Sequence, residues 1–392
     1  MSGIDPECHP QPSSQSDKVV CVECFEDKDL RARIDDHDGE PGCDFCGQAD
    51  APTMPFEDLA EFIAERIRTF YGLANEQLPY ESAEGGYQGS WSTSLEVISD
   101  EVYLPRDDDN ELLEALVKML GDEAWCDYDW TSLEPDESLK YSWESFCEIV
   151  KHGRRFFFHN VGTDPLSHPD ERTPLQLLRQ LGRHLDQQGL IRTEEAGYRL
   201  FRARPRHDGE QYVTAAALGP PPPERATQSN RMNPPGIPMF YGADNADLAA
   251  AETRQQAVSL GTFEATRPIR ILDLADLPPV PGMFSECDRK NLFTLSFLTD
   301  FADLIIQPVP RNDRTQVDYI PSQVFTEFLR DFPFEGGPLD GVSYRSATGE
   351  DGLNVVLFAT PDDVVDGSEE PEYGPPHARW LQLVAVEQRE AP

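Results

Sequence analysis

Residues 197–205 read GYRLFRARP, and residues 230–254 read NRMNPPGIPMFYGADNADLAAAETR. The first stretch alternates large and polar side chains with the period of a half-buried strand. The second runs from a turn rich in Pro, Gly and Asn, through an aromatic pair, into a helical segment, 245–261. Strand-like runs follow at 262–274, 341–346, 354–360 and 379–388, with helical patterns at 289–305 and 320–332 between them. Mixed in this order, the elements predict an α+β fold with a mixed β-sheet for residues 196–390. LGPPPPERATQ (218–228) is an extended, Pro-rich connector.

Upstream the pattern changes to helix. In 55–73, Phe56, Leu59, Ile63, Ile67 and Phe70 recur at three- and four-residue steps and form one apolar stripe. Leu112, Leu113, Leu116, Val117 and Leu120 repeat the pattern, with Gly121 as a stop. A third helix is expected over 138–153. The fourth is punctuated at both ends: Thr173 as N-cap, Pro174 as first helical residue, Gly189 past the end, and Leu175, Leu178, Leu181 and Leu185 as its buried face. ESAEGGYQGSW (81–91) is a polar loop. These boundaries predict a flexible tail over 1–18, a cysteine knuckle over 19–50, a helical domain over 51–192 and the mixed domain over 196–390.

Cys21, Cys24, Cys43 and Cys46 make two C-x2-C turns separated by 18 residues. Two such turns present four thiolates that close a tetrahedron around Zn2+, and a set made only of cysteines suits a structural ion. Cys126, Cys147 and Cys287 are scattered thiols, and Cys8–His9 is a further possible contributor.

The chain has 392 residues and a formal charge of -39, from 72 acidic and 33 basic side chains. So much negative charge excludes general nucleic-acid binding and docking on anionic lipid, both of which need a basic face. Hydrophobic residues at 39% supply packed cores. No run is long enough to span a membrane, and the first residues lack a secretory pattern, so the expected location is cytoplasmic.

The order of the later residues carries a resemblance. Arg202 lies on a first strand, Arg231 leads the RMNPPG turn, Tyr241 precedes a helix, and Glu252 lies on that helix. VDYIPSQ follows with Gln323, and then GVSYRSATGEDGLNVVLF, with Ser346 ending one strand and Asn354 opening the next. This resembles the RES domain, named for an Arg, a Glu and a Ser. The resemblance implies an NAD+-degrading toxin module with an ADP-ribosyltransferase-like fold, NAD+ as substrate and a neutralising antitoxin as partner. It assigns Arg202, Glu252 and Ser346 as the catalytic residues, with Ser343 close by as a rival for the serine. Arg202, Arg231, Tyr241 and Ser346 become the NAD+-binding set. The upstream half is similar to the HEPN-type domain that precedes such modules.

The chemistry agrees. Loss of nicotinamide develops oxocarbenium character on the ribose, which a carboxylate such as Glu252 stabilises. Guanidinium forks match pyrophosphate oxygens. Three other readings stay open: ADP-ribosyl transfer to a protein, a non-catalytic binding module, and a HEPN-type ribonuclease. The last would use Arg154 or Arg155 with His159 in GRRFFFHN, where the three phenylalanines read as core.

Overall fold

The computed structural model describes residues 18–37, 39–105, 110–163, 168–207, 210–307, 315–346, 348, 350–367 and 379–390. Cys8–His9 and the expected tail, apart from Lys18, lie outside the described residues. The chain forms two compact units, one of residues 1–134 with 280–293, the other of 135–279 with 294–392.

In the first unit, β1 (Val19–Cys21) pairs antiparallel with β2 (Thr53–Pro55). Helix α1 (Lys28–Asp35) starts where the Asp27 carboxylate accepts from the Asp29 and Leu30 amides. Helix α2 (Phe56–Phe70) buries Phe56, Leu59, Ile63 and Ile67, the stripe that its spacing predicts. It is followed by β3 (Tyr71–Leu73), α3 (Ala74–Gln77) and a two-residue hairpin of β4 (Tyr80–Glu81) and β5 (Gly86–Tyr87), set in the expected polar loop. Then come β6 (Ser92–Thr93), α4 (Ser94–Glu101), α5 (Glu111–Leu120) and β7 (Ala124–Asp127). Strands β3, β7 and β6 form an antiparallel sheet in that order. Helix α5 buries Leu112, Leu116 and Leu120 and stops at Gly121, which takes φ 98°.

The second unit begins with α6 (Pro135–Glu148) and α7 (Pro174–Gln187). Thr173 caps α7 through a reciprocal pair with Gln176, and Gly189 is left-handed at φ 67°. Next are β8 (Ile191–Glu194), β9 (Arg199–Pro205), α8 (Ala215–Leu218), β10 (Phe240–Ala243), α9 (Ala246–Thr253), β11 (Ala257–Ala265) and β12 (Ile269–Asp273). Helices α10 (Arg289–Ile306, of which residues from Thr294 onward belong to this unit), α11 (Thr315–Asp318) and α12 (Ile320–Asp331) precede β13 (Gly341–Arg345), β14 (Leu353–Leu357), β15 (Val364–Asp366) and β16 (Leu381–Glu390). Nine strands make one sheet in the order β15-β16-β11-β9-β10-β14-β13-β12-β8. The β15–β16 and β12–β13 pairs are parallel and the others antiparallel, so the sheet is mixed. Leu177, Leu181, Trp143, Phe297, Phe301 and Phe325 from the helices pack with Leu272, Val342 and Val356 from the strands in one core. Leu200, Phe240, Phe263, Ile271, Val355 and Leu357 form a second core.

Two expectations are corrected. The helix predicted over 245–261 ends at Thr253, because Arg254 turns left-handed at φ 53°, and Ala257–Ala265 is a strand. Phe156 and Phe157 are not core: they are 82% and 76% exposed, and only Phe158 packs inward, edge-on against Phe146 at 5.8 Å. No helix among the described residues is long and apolar enough to cross a membrane.

Candidate active site

The cleft of interest opens where two neighbouring strands part. Strands β9 and β10 share one register pair, Phe201 with Ala243. Beyond it the chains diverge, and Phe201–Ala203 and Tyr241–Ala243 become the two lips of a cavity of about 230 Å3. The register explains the floor. Tyr344 pairs with Asn354, Asn354 with Ala243, and Ala243 with Phe201, and opposed residues present side chains on one face of a sheet. Helix α9, the crossover from β10 to β11, closes the cavity with Ala249, Glu252 and Thr253. Its start is fixed by the Asn245 side chain, which accepts from the Leu248 amide.

Glu252 is the hub. Its Oε1 accepts from the Ser346 hydroxyl at 2.7 Å and from the Asn354 amide at 2.5 Å. The Ser346 oxygen also meets the Thr348 hydroxyl at 2.8 Å and accepts from the Thr348 amide at 3.1 Å. Arg202 donates to the Tyr241 carbonyl at 3.0 Å and stands over the Phe240 ring at 5.3 Å. Burial lowers its pKa to about 10, which leaves it charged at neutral pH. The Tyr241 hydroxyl donates to Asn233 Oδ1 at 2.6 Å and accepts from the Met232 amide at 3.2 Å. Burial pushes the Tyr241 phenol up, and it pushes Tyr344 up to about 12 against the opposing charge of Arg231, so both stay protonated.

Models of two protein families match the chain: HEPN/RES N-terminal domain 1 over residues 36–164, and the RES domain over residues 199–379. This is a RES-domain protein with a HEPN/RES N-terminal domain. The RES family is known for NAD+-acting toxin modules, and the domain brings that general class of chemistry to the chain. Neither a curated protein nor a solved structure matches it.

Of the residues singled out in the RES sequence, Arg202, Tyr241 and Glu252 line one cleft, and Ser346 joins them through its bond to Glu252. Ser343 is fully buried and accepts from Arg192 at 3.5 Å instead. Arg231 is not among the lining residues. Its guanidinium donates to the Ile305 and Gln307 carbonyls at 2.6 and 2.7 Å, at the C-terminal end of α10. Gln323 braces the turn that carries Arg231, donating to Ser229 Oγ at 2.9 Å and to the Asn230 carbonyl at 2.7 Å. Sequence reasoning gave no role to Asn354 or Tyr344. Their signal lay in strand register, which only the folded sheet supplies.

Within the HEPN/RES N-terminal domain, Arg154, Arg155 and His159 lie in an exposed, non-helical stretch after α6. The helical spacing that the ribonuclease reading needs is absent, and His159 is exposed rather than packed.

The four knuckle cysteines do converge. Their sulfurs lie within 4.8 Å of one another, with Cys21–Cys24 at 3.8 Å, Cys21–Cys46 at 3.4 Å and Cys24–Cys43 at 3.6 Å. A tetrahedron with metal–sulfur bonds of about 2.3 Å has edges of about 3.8 Å. The donor set and its spacing therefore fit a metal ion. Contact with Cys24 favours the thiolate of Cys43, while burial disfavours that of Cys21.

Proposed function

We propose that this chain is an NAD+ glycohydrolase that cleaves the nicotinamide–ribose bond and passes the ribose to water. The observation that carries the reading is the Glu252 carboxylate. Ser346 and Asn354 engage one oxygen, and no described residue engages the other, in a cleft shared with a charged guanidinium. That free oxygen is the group for the ribose. As the C1′–N bond breaks, its electron pair neutralises the pyridinium ring, nicotinamide departs, and positive charge grows on C1′. A fixed carboxylate stabilises such charge without reorganising. Water then adds to C1′ and gives its proton to the carboxylate and on to solvent.

The cavity, at about 230 Å3, is smaller than the roughly 300–1,000 Å3 that encloses a drug-sized ligand. It suits the nicotinamide riboside end, with the rest of the dinucleotide across the open mouth. Arg202, with one described acceptor, keeps donors for the pyrophosphate; Tyr241 and Tyr344 offer ring faces to the nicotinamide, and Tyr344 a neutral hydroxyl, that of Tyr241 being engaged by Asn233 and Met232. Arg231, engaged by α10, contributes charge rather than a direct contact. Ser346 acts on Glu252 as a positioning residue. In the knuckle we read the ion as structural Zn2+. A neutralising antitoxin goes with this reading through the family, and the cytoplasmic setting is the one expected from the sequence.

Purified protein mixed with NAD+ should release nicotinamide and ADP-ribose in equal amounts. Glu252→Ala should abolish turnover while the circular dichroism spectrum is kept. Label from adenine-labelled NAD+ ending on protein rather than in free ADP-ribose would replace hydrolysis with transfer. Turnover that survives Glu252→Ala would sink both.

A further inference from the structure

A protein of net charge -39 carries a short basic and aromatic projection. After the π-turn Ile149–Gly153 the chain runs Arg154-Arg155-Phe156-Phe157-Phe158. Phe158 anchors the segment on Phe146, and the next two rings stand in solvent at 82% and 76% exposure. Arg154 and Arg155 are exposed as well, and neither has an ion-pair partner among the described residues. Isolated surface apolar residues are ordinary, but two adjacent bare phenylalanines beside two unspent guanidiniums form a patch with a use. Arginine and aromatic side chains are also the types that dominate binding energy at protein interfaces.

The same chain contains a cavity of complementary chemistry. It measures about 710 Å3, lies between β3, α3 and β7 of the first unit, and has Tyr71, Trp125 and Tyr128 among its walls. Glu76, Glu123 and Asp129 line it too, all exposed, none in an ion pair among the described residues. Arg68 is the one cation on the wall. Rings there can pack against phenylalanine and attract guanidinium, and carboxylates complete the pairing.

We propose that the Arg154–Phe157 projection of one copy docks in this acidic, aromatic cavity of a second copy. Charge complementarity selects the occupant. The projection suits an apolar pocket rimmed by carboxylates; nucleic acid would offer phosphates to the arginines but meet the field of the whole acidic chain. The association is weaker at high salt for its ionic part and keeps an apolar part that salt does not remove.

Sedimentation of the full chain over a range of concentrations tests this. Self-association is expected in wild type, and Phe156→Ser/Phe157→Ser should weaken it at least tenfold. Arg154→Glu/Arg155→Glu should weaken it similarly, and mixing that variant with Glu76→Arg/Glu123→Arg should restore a heteromeric species. Circular dichroism of each variant controls for folding. A wild-type monomer at every concentration overturns the proposal, as does association indifferent to the two phenylalanines, or failure of the charge-swapped pair to recover. Binding of a single-stranded oligonucleotide through Phe156 and Phe157, with no self-association, also overturns it.

Discussion

Glu252 sends one oxygen to two protein donors, and the cost of losing either donor can be argued separately from losing the acid. A hydrogen bond to a charged group contributes about 1.5–3 kcal/mol. Ser346→Ala or Asn354→Ala should therefore lower kcat by about ten- to hundredfold at 1.36 kcal/mol per decade. Because both side chains hold Glu252 rather than the ligand, KM should move little. Ser346→Thr, which keeps a hydroxyl, should recover part of the loss. Steady-state nicotinamide release measures all three, and a large rise in KM with kcat intact would instead make Ser346 a direct ligand contact. Of this arrangement, Arg202, Tyr241, Glu252 and Ser346 were legible in the order of residues along the chain. Asn354 was visible only as a strand opener, because its role depends on lying opposite Ala243 and Tyr344. The reach of Arg231 to the end of α10 depends equally on packing that no local pattern encodes.

At the scale of elements, periodicity foretold α2, α5 and α7 because each has an apolar stripe, with Gly121 ending α5 and Thr173 starting α7. In α7 the buried face takes Leu177 where the spacing predicts Leu175, and Leu175 is half-buried. Periodicity failed at 254–261, where a good helix former, Arg254, adopts the left-handed conformation that glycine takes more cheaply. Packing decides there: Val258, Leu260 and Phe263 are buried in or beside the sheet. Sequence also groups α6 and α7 with the earlier helices, whereas Trp143, Leu177 and Leu181 are core residues of the second unit. A backbone fit with no sequence signal joins α9 to β14. Gly352 has φ +128°, and a Cβ there would lie 2.6 Å from Asp244 Oδ1 and closer still to the Asn245 amide. The knuckle is the reverse case, legible from spacing alone and now seen to share a core with Phe25, Leu30 and Leu59. Its Cys21, Cys24 and Cys43 are buried, so an ion there would tie β1 and the following turn to the Cys43–Cys46 turn, within the core that α1 and α2 share. Metal analysis should find one zinc per chain, and Cys43→Ser should remove it and lower the thermal midpoint. Loss of stability without any metal in wild type would leave a packing role and no ion.

Over the whole molecule the governing quantity is the formal charge of -39. NAD+ is a net anion, since its pyrophosphate outweighs the pyridinium, so on the proposed reading the distant field would repel it while Arg202 would attract it at the cleft. The two contributions differ in range, and salt separates them. Raising ionic strength from about 0.01 M to 0.1 M shortens the screening length from about 30 Å to about 10 Å. Repulsion from carboxylates spread over the surface acts across that range and is cut. Contact between a part-buried guanidinium and a phosphate acts over a few ångströms and is cut far less. The KM for NAD+ should therefore fall, by roughly twofold or more, as salt rises over this interval, while kcat should stay level if Glu252 acts on the ribose at contact distance, as proposed. Arg202→Ala should raise KM at every salt concentration and keep the downward slope. A KM that climbs with salt in wild type and flattens in Arg202→Ala would mean that the arginine field, not the acidic surface, controls approach to the cleft.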